Sequence, residues 1–360
     1  MKTAAQLAES IARFQTRFWA RTGRGRPPVG VVNQDIYLPI KYLRKPFAGE
    51  VIEPGDVGPE LAMTDYEFAF ADRLVNSDDW MPFAAPWRAI PWLEACCGCP
   101  VRYAAGSLAP DHTGEPLTNL LESPLPRRQD WIACLRRETL ALAVAAPEDC
   151  WISPTILRGP SDILAAWRGM NDFYCDLYDD PAAVDRAAGQ VNRLLIAALD
   201  LHFSIVGPKQ GGYGHIFGYW APDRTIAIQE DALGMCRPEV FREIFLKHNA
   251  DVVRHLGTYV LFHLHSTGFQ HYRDVLRIPG LAGLQMTIEA NGPALPDLLP
   301  TFREILEQTR LVLFLDHGFE RLPEILHRLP TDGLYLVVPE KCVPSEPAFR
   351  EFTATHWGRD

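Results

Sequence analysis

Phe262-His263-Leu264-His265 sets two imidazoles two positions apart at the end of an apolar run. Residues two apart on a strand point to the same side, so both rings would face one space. Glu289 and Cys342 each follow a later apolar run. If they close on that space, the four side chains offer two nitrogens, an oxygen and a sulfur. That mixture suits Zn²⁺ better than other common ions, and a Zn²⁺ site of His263, His265, Glu289 and Cys342 is expected. Taken singly, each residue has an ordinary reading: a core histidine, a pocket wall, a buried thiol. Their joint occurrence at strand ends favours the metal.

Other residues could carry chemistry near the same rim. Glu230 and Asp231 follow Ile228-Gln229 and could act as general acid and base or hold a substrate hydroxyl. Loop solvation or charge at a helix start is the plain alternative. Asp231 is the favoured catalytic group of the two, and Glu230 is assigned to substrate binding. Tyr213 and His215, flanked by glycines, and Asp316-His317 after another apolar run are further substrate-binding candidates. Cys96-Cys97-Gly98-Cys99 contains a Cys-x-x-Cys, but no second pair completes a zinc knuckle, so buried structural thiols are expected. The tryptophans from Trp80 to Trp92 could line a flat ligand or simply pack in the core.

Positioning these residues requires a particular kind of scaffold. Runs at 259–263, 283–288, 311–315 and 334–338 alternate with helical patterns at 270–276, 295–308, 322–329 and 348–356. Apolar runs without alternation read as strands buried on both faces, and repeated strand–helix units imply a parallel sheet. The fold expected is α/β: a single (β/α)₈ TIM barrel spanning 1–360, with residues 1–100 as an N-terminal helical and loop extension covering the barrel mouth. Within that extension, 28–32 reads as an early strand, and Leu7, Ile11, Phe14 and Phe18 fall at helical spacing. Further helices are expected at 128–146, 161–177 and 181–203. Glycines at 211, 212, 214 and 218 mark a stretch that is flexible or closely approached by something. Polar residues just after strands are what a barrel's active face needs. No Gly-rich phosphate fingerprint follows any strand.

On these motifs the chain resembles the uroporphyrinogen decarboxylase superfamily over roughly residues 85–356, in particular its cobalamin-dependent methyltransferase branch. It is also similar to the C-terminal barrel of cobalamin-independent methionine synthase. His263-Leu264-His265 stands where those methyltransferases have a zinc-binding His-x-Cys, with histidine in place of the cysteine. Thr287-Ile288-Glu289 matches the synthase strand that ends in a Glu ligand, and Val338-Pro339-Glu340-Lys341-Cys342 matches the loop with the last Cys. Glu230-Asp231 with Arg237-Pro238-Glu239 resembles the superfamily's acidic stretch and following helix. The resemblance implies a zinc-dependent methyltransferase that moves a methyl group between a methylated small molecule or corrinoid protein and a thiol or related acceptor. Zinc would favour the thiolate form of that acceptor. Asp111-His112-Thr113-Gly114 lacks the spacing of a corrinoid-binding signature, so any corrinoid would be carried by a partner protein. The alternative is a metal-free decarboxylase-like lyase acting on a carboxylated substrate. Val32-Asn33-Gln34-Asp35-Ile36-Tyr37 lacks the arginines that would hold a porphyrin's carboxylates.

Composition bounds the partners. A formal charge of −10 argues against nucleic acid. No apolar run reaches the length of a membrane span. Residues 1–20 lack a contiguous apolar segment and include Glu9, and eight cysteines without a secretory signal suggest reduced thiols. A cytoplasmic location, a small-molecule substrate and self-association as a homodimer are the remaining expectations.

Overall fold

Val29–Val32 (β1), Phe83–Ala84 (β2), Trp151–Ile152 (β3), Thr225–Gln229 (β4), Tyr259–His265 (β5), Gly283–Thr287 (β6), Arg310–Phe314 (β7) and Leu334–Pro339 (β8) are the strands that organise the molecule. Their apolar composition has a direct cause: β1 and β8 are buried at every residue and β5 at all but its two ends. Such strands have only main-chain pairing and apolar contact available to them. The computed structural model describes residues 2–23, 25–32, 49–58, 63–71, 73–87, 90–104, 107–289, 291–315 and 322–357. Asp316, His317 and residues 33–37 therefore lie outside the described part.

Six strands form one parallel sheet in the order β1-β8-β7-β6-β5-β4. The first strand sits beside the last, and the central register sets His263 level with Gln229 on one side and Gln285 on the other. β2 and β3 form a separate parallel pair. The sheet is thus α/β with six parallel strands, and no ladder of strands closes it into an eight-stranded barrel among the described residues. The reason is local: β2 and β3 are two residues each. Single main-chain bonds bridge the gaps, from Asp79 N to Val29 O at 2.7 Å and from Gly159 N to Gln229 O at 3.0 Å.

The helices follow the sequence pattern closely. Ala4–Arg13 starts at a Thr3–Gln6 capping box and continues as a wider turn to Trp19, burying Leu7, Ile11, Phe14 and Phe18. Gln129–Ala145, Pro181–Ile205, Leu295–Gln308, Leu322–Arg328 and Glu346–Trp357 form where expected. The helix expected at 161–177 is two, Pro160–Arg168 and Met170–Asp179, because Gly169 has φ +87° and breaks the run. No helix among the described residues is long and apolar enough to cross a membrane.

The first hundred residues supply β1 and β2. Asp78 and Asp79, both buried, tie them down. Asp78 takes Lys2 Nζ and Arg73 Nη2 at 2.8 Å each and the Val31 amide at 2.7 Å. Asp79 pairs with Arg13 and Arg26 and accepts from Ser10 Oγ at 3.0 Å and Val29 N at 2.9 Å.

The glycine-rich stretch is closely approached rather than free. Gly218 has φ +68°, and a Cβ there would lie 2.2 Å from the Trp80 ring, so only glycine fits. Trp80, Trp87 and Trp92 are core side chains, 3% exposed or less, and Trp92 meets Trp131 edge-on at 5.8 Å. Their packing leaves no aromatic wall open to a flat ligand. Cys96, Cys97 and Cys99 are buried, and burial pushes their thiols far above the ordinary range.

Candidate metal centre

The alternation of β5 brings His263 and His265 to the same side, and their Nε2 atoms stand 3.0 Å apart. The neighbouring strand β4 ends just before Asp231, which reaches the same point: Oδ1 is 4.0 Å from His263 Nε2 and Oδ2 is 3.7 Å from His265 Nε2. Gln229 Nε2 donates to Asp231 Oδ2 at 2.9 Å and orients the carboxylate. Asp231, His263 and His265 form a group able to hold a metal ion, each offering one atom within 4.8 Å of the others.

The far sides of both rings are occupied by oxygen acceptors. On β6, Gln285 is fully buried, gives its Nε2 to Thr287 Oγ1 at 3.1 Å and turns its Oε1 to His263 Nδ1. Glu289 Oε1 lies 3.0 Å from His265 Nδ1. Its other oxygen accepts from Thr267 Oγ1 at 2.7 Å, and its amide donates to Ser266 Oγ at 2.9 Å. Where both Nδ1 atoms carry the proton, with Gln285 Oε1 accepting that of His263 and Glu289 Oε1 near that of His265 without hydrogen-bond geometry, both Nε2 atoms present lone pairs to each other. Two lone pairs at 3.0 Å repel unless a proton or a cation sits between them.

The electrostatics point the same way. His265 is raised above the ordinary range, first by the Asp231 carboxylate 3.7 Å away, although burial opposes this. His263 is lowered, chiefly by burial. Burial works to raise Asp231, but the two histidines and Arg158 hold it below the usual carboxylate range. A proton on His265 is one way to satisfy the cluster, and a divalent cation is the other. Two imidazoles, one carboxylate and an open side are the donor set of catalytic zinc sites. The 3.0 Å separation is close to the roughly 3.3 Å between two nitrogens on one tetrahedral zinc. Oxygen partners on the second ring nitrogens are the usual support for such ligands.

The remaining expected residues are distributed as follows. Glu289 is beside the cluster, its Oε1 3.0 Å from the outer nitrogen of His265. Cys342 ends a short turn, Glu340–Cys342, after β8, and stays outside the cluster. The strand order explains this: β8 is three strands from β5, about 14 Å along the sheet, whereas β4 is adjacent. Glu230 lines the smaller cavity beside the cluster, but its carboxylate is taken, accepting from Ser161 N at 2.7 Å and Asn249 Nδ2 at 2.8 Å. Burial raises its pKa to about 7. His215 is 1% exposed, stacks on Tyr219 at 4.8 Å, and has the amides of Phe217 and Ala227 at its ring nitrogens. It braces the loop whose Phe217 ring packs 5.6 Å from His263. Tyr213 packs edge-on against Phe203 at 5.6 Å in a hairpin preceding β4.

Sequence reasoning missed Gln285, Arg158 and Asp162. Gln285 had a signal, a lone amide inside Leu284-Gln285-Met286. Two cavities adjoin Asp231. One, of about 170 Å³, is lined by His265, Thr267, His271 and Glu289 among others. The other, of about 400 Å³, includes Arg158, Asp162 and His112.

No protein-family model matches the chain, and no curated protein matches it by sequence. Among solved structures, a methyltransferase from Methanosarcina mazei superposes with a TM-score of 0.60 over 98% of both chains, at 12% identity. At that identity the likeness is one of fold.

Proposed function

We propose that the chain is a zinc-dependent methyltransferase of uroporphyrinogen decarboxylase-like architecture, a (β/α)₈ barrel in which β2 and β3 complete the ring between β1 and β4. The observation that carries the reading is the pair of Nε2 atoms converging at 3.0 Å with Asp231 beside them. The fold likeness to a protein named a methyltransferase supports the reaction class.

His263, His265 and Asp231 would hold the ion, which when bound supplies the Lewis acidity that favours the thiolate form of a thiol acceptor. Gln285 and Glu289 fix the imidazoles with their Nε2 atoms inward. Phe217 packs 5.6 Å from His263 and meets Phe314 edge-on at 5.2 Å. Glu289 is well placed to take a proton from His265 Nδ1. The methyl donor would be a methylated small molecule or a corrinoid carried by a separate protein, with the thiol as acceptor.

The test is elemental analysis of protein purified without chelator or affinity histidines. One zinc per chain is expected, lost in Asp231→Ala and His265→Ala variants that keep the fold. The metal-free lyase is the second reading, favoured by the Asp231–His265 charge pair, which could move a proton unaided. Full retention of activity in metal-stripped protein would select it.

A further inference from the structure

Asp162 sits in the first turn of Pro160–Arg168 with only 7% of its surface exposed. Its Oδ1 accepts from Ala232 N at 2.6 Å, while its Oδ2 is buried without a partner, and the residue lines the larger cavity. A buried carboxyl oxygen without a donor is costly, and native structures rarely leave one without a purpose. We propose that this cavity of about 400 Å³ binds a small amine, whose N–H group is received by Asp162 Oδ2. The proposal names the class of small molecule for the methyl-transfer reading and rests on that reading for the molecule's role; binding itself does not.

Charge on the cavity wall selects the amine. Arg158 is the cation there, but its Nε lies 3.0 Å from the buried Glu94 carboxylate, which takes up its charge. Asp231 faces the two histidines. Burial first, and then the fields of Asp231 and Glu230 against that of Arg158, raise the Asp162 carboxyl, so it holds a charge only beside a cation. An anionic ligand would therefore meet a wall of its own sign. An alcohol would satisfy the hydrogen bond but not the charge. The rest of the lining, Pro110, Ala165, Ala166 and Met170, suits an apolar body behind the head group. The volume falls within the range of small-molecule sites.

The probes are n-hexylamine, 1-hexanol and hexanoate, titrated calorimetrically into the full chain at about pH 7.5, where the amine stays protonated, with and without added Zn²⁺. Saturable amine binding at least tenfold tighter than the alcohol is expected, with hexanoate weaker still. Asp162→Asn, which removes the free acceptor, should weaken the amine tenfold or more. Ala166→Phe fills the cavity without touching the carboxyl, should abolish binding, and decides the matter if Asp162→Asn fails to fold. Amine binding that persists in Ala166→Phe overturns the proposal. So does tighter binding of hexanoate, or no saturation by roughly 10 mM, the reach of fragment-sized ligands. Metal content read on the same samples separates the two readings. Zinc bound without amine binding sinks the cavity assignment alone, and amine binding without zinc sinks the metal reading alone.

Discussion

The Asp78–Asp79 cluster and the Asp231–His263–His265 cluster are built from similar materials and finished differently. In the first, two buried carboxylates meet four cations and three main-chain amides at bonding distance. Burial alone would raise Asp79, yet Arg26, Arg13 and Lys2 hold its pKa at about 2. In the second, Asp231 stands 3.7 and 4.0 Å from its histidines, and the two inward nitrogens face each other. A cluster whose charges are complete anchors chain segments. On the metal reading, one whose acceptors converge on a common point is completed by an ion.

The largest effect should come from emptying the second cluster. His263→Ala or His265→Ala is expected to remove the bound metal and reduce methyl transfer below about one-thousandth of wild type. Thermal stability, followed by circular dichroism, should change little. Asp79→Ala should do the reverse, costing about 3–5 kcal/mol because the buried carboxylate that joins Arg13, Arg26, Ser10 and the Val29 amide is lost. Zinc stoichiometry per folded chain should stay at one. If metal is lost in Asp79→Ala at temperatures where the chain is folded, the division between anchor and site is mistaken.

Acid separates the clusters by pH range. Asp79 is depressed in the fold, so its contribution is present above about pH 4 and is lost as pH falls toward 2, roughly 2 kcal/mol in all. His265 is raised in the fold, so protons compete with metal there from above its ordinary value near 6.5. Zinc affinity should therefore fall as pH drops through 7 toward 5, above the range in which Asp79 titrates. A third titration belongs to Glu230. Its folded pKa of about 7 exceeds its unfolded value, so the fold binds the extra proton and stability declines as pH rises from about 4.5 to 7. Glu230→Gln should flatten that decline in urea titrations.

The smallest change tests the support of the metal centre. Gln285→Met removes the acceptor that orients His263 while keeping side-chain bulk. Zinc affinity should weaken about 10- to 100-fold, as read by competition with a chromophoric chelator. An unchanged affinity would show that His263 is oriented by packing against Phe217 instead.

Much of the scaffold was legible from pattern. The four strand–helix units of the second half formed within a few residues of their expected bounds, because long apolar runs bounded by breakers leave little choice of structure. β2 and β4 were not read as strands. β2 is two residues long, and β4, Thr225-Ile226-Ala227-Ile228-Gln229, runs straight into the acidic pair that drew attention away from it. At the site, His263, His265 and Asp231 were all singled out, but with Asp231 as catalyst and Glu289 and Cys342 as ligands. Position along the chain does not reveal which strands are neighbours.

Sequence by itself determined that His263 and His265 share a face, since the two-residue period of a strand is a property of the backbone. It also determined that the strands are buried, since their composition offers water nothing. Tertiary structure alone decided which acid joins the histidines. Sheet order set β4 beside β5 and β8 three strands away, and donors can share an ion only when the fold brings them within a few ångströms. It likewise decided that Gln285 turns His263 inward, because that contact exists only once β5 and β6 pair in register.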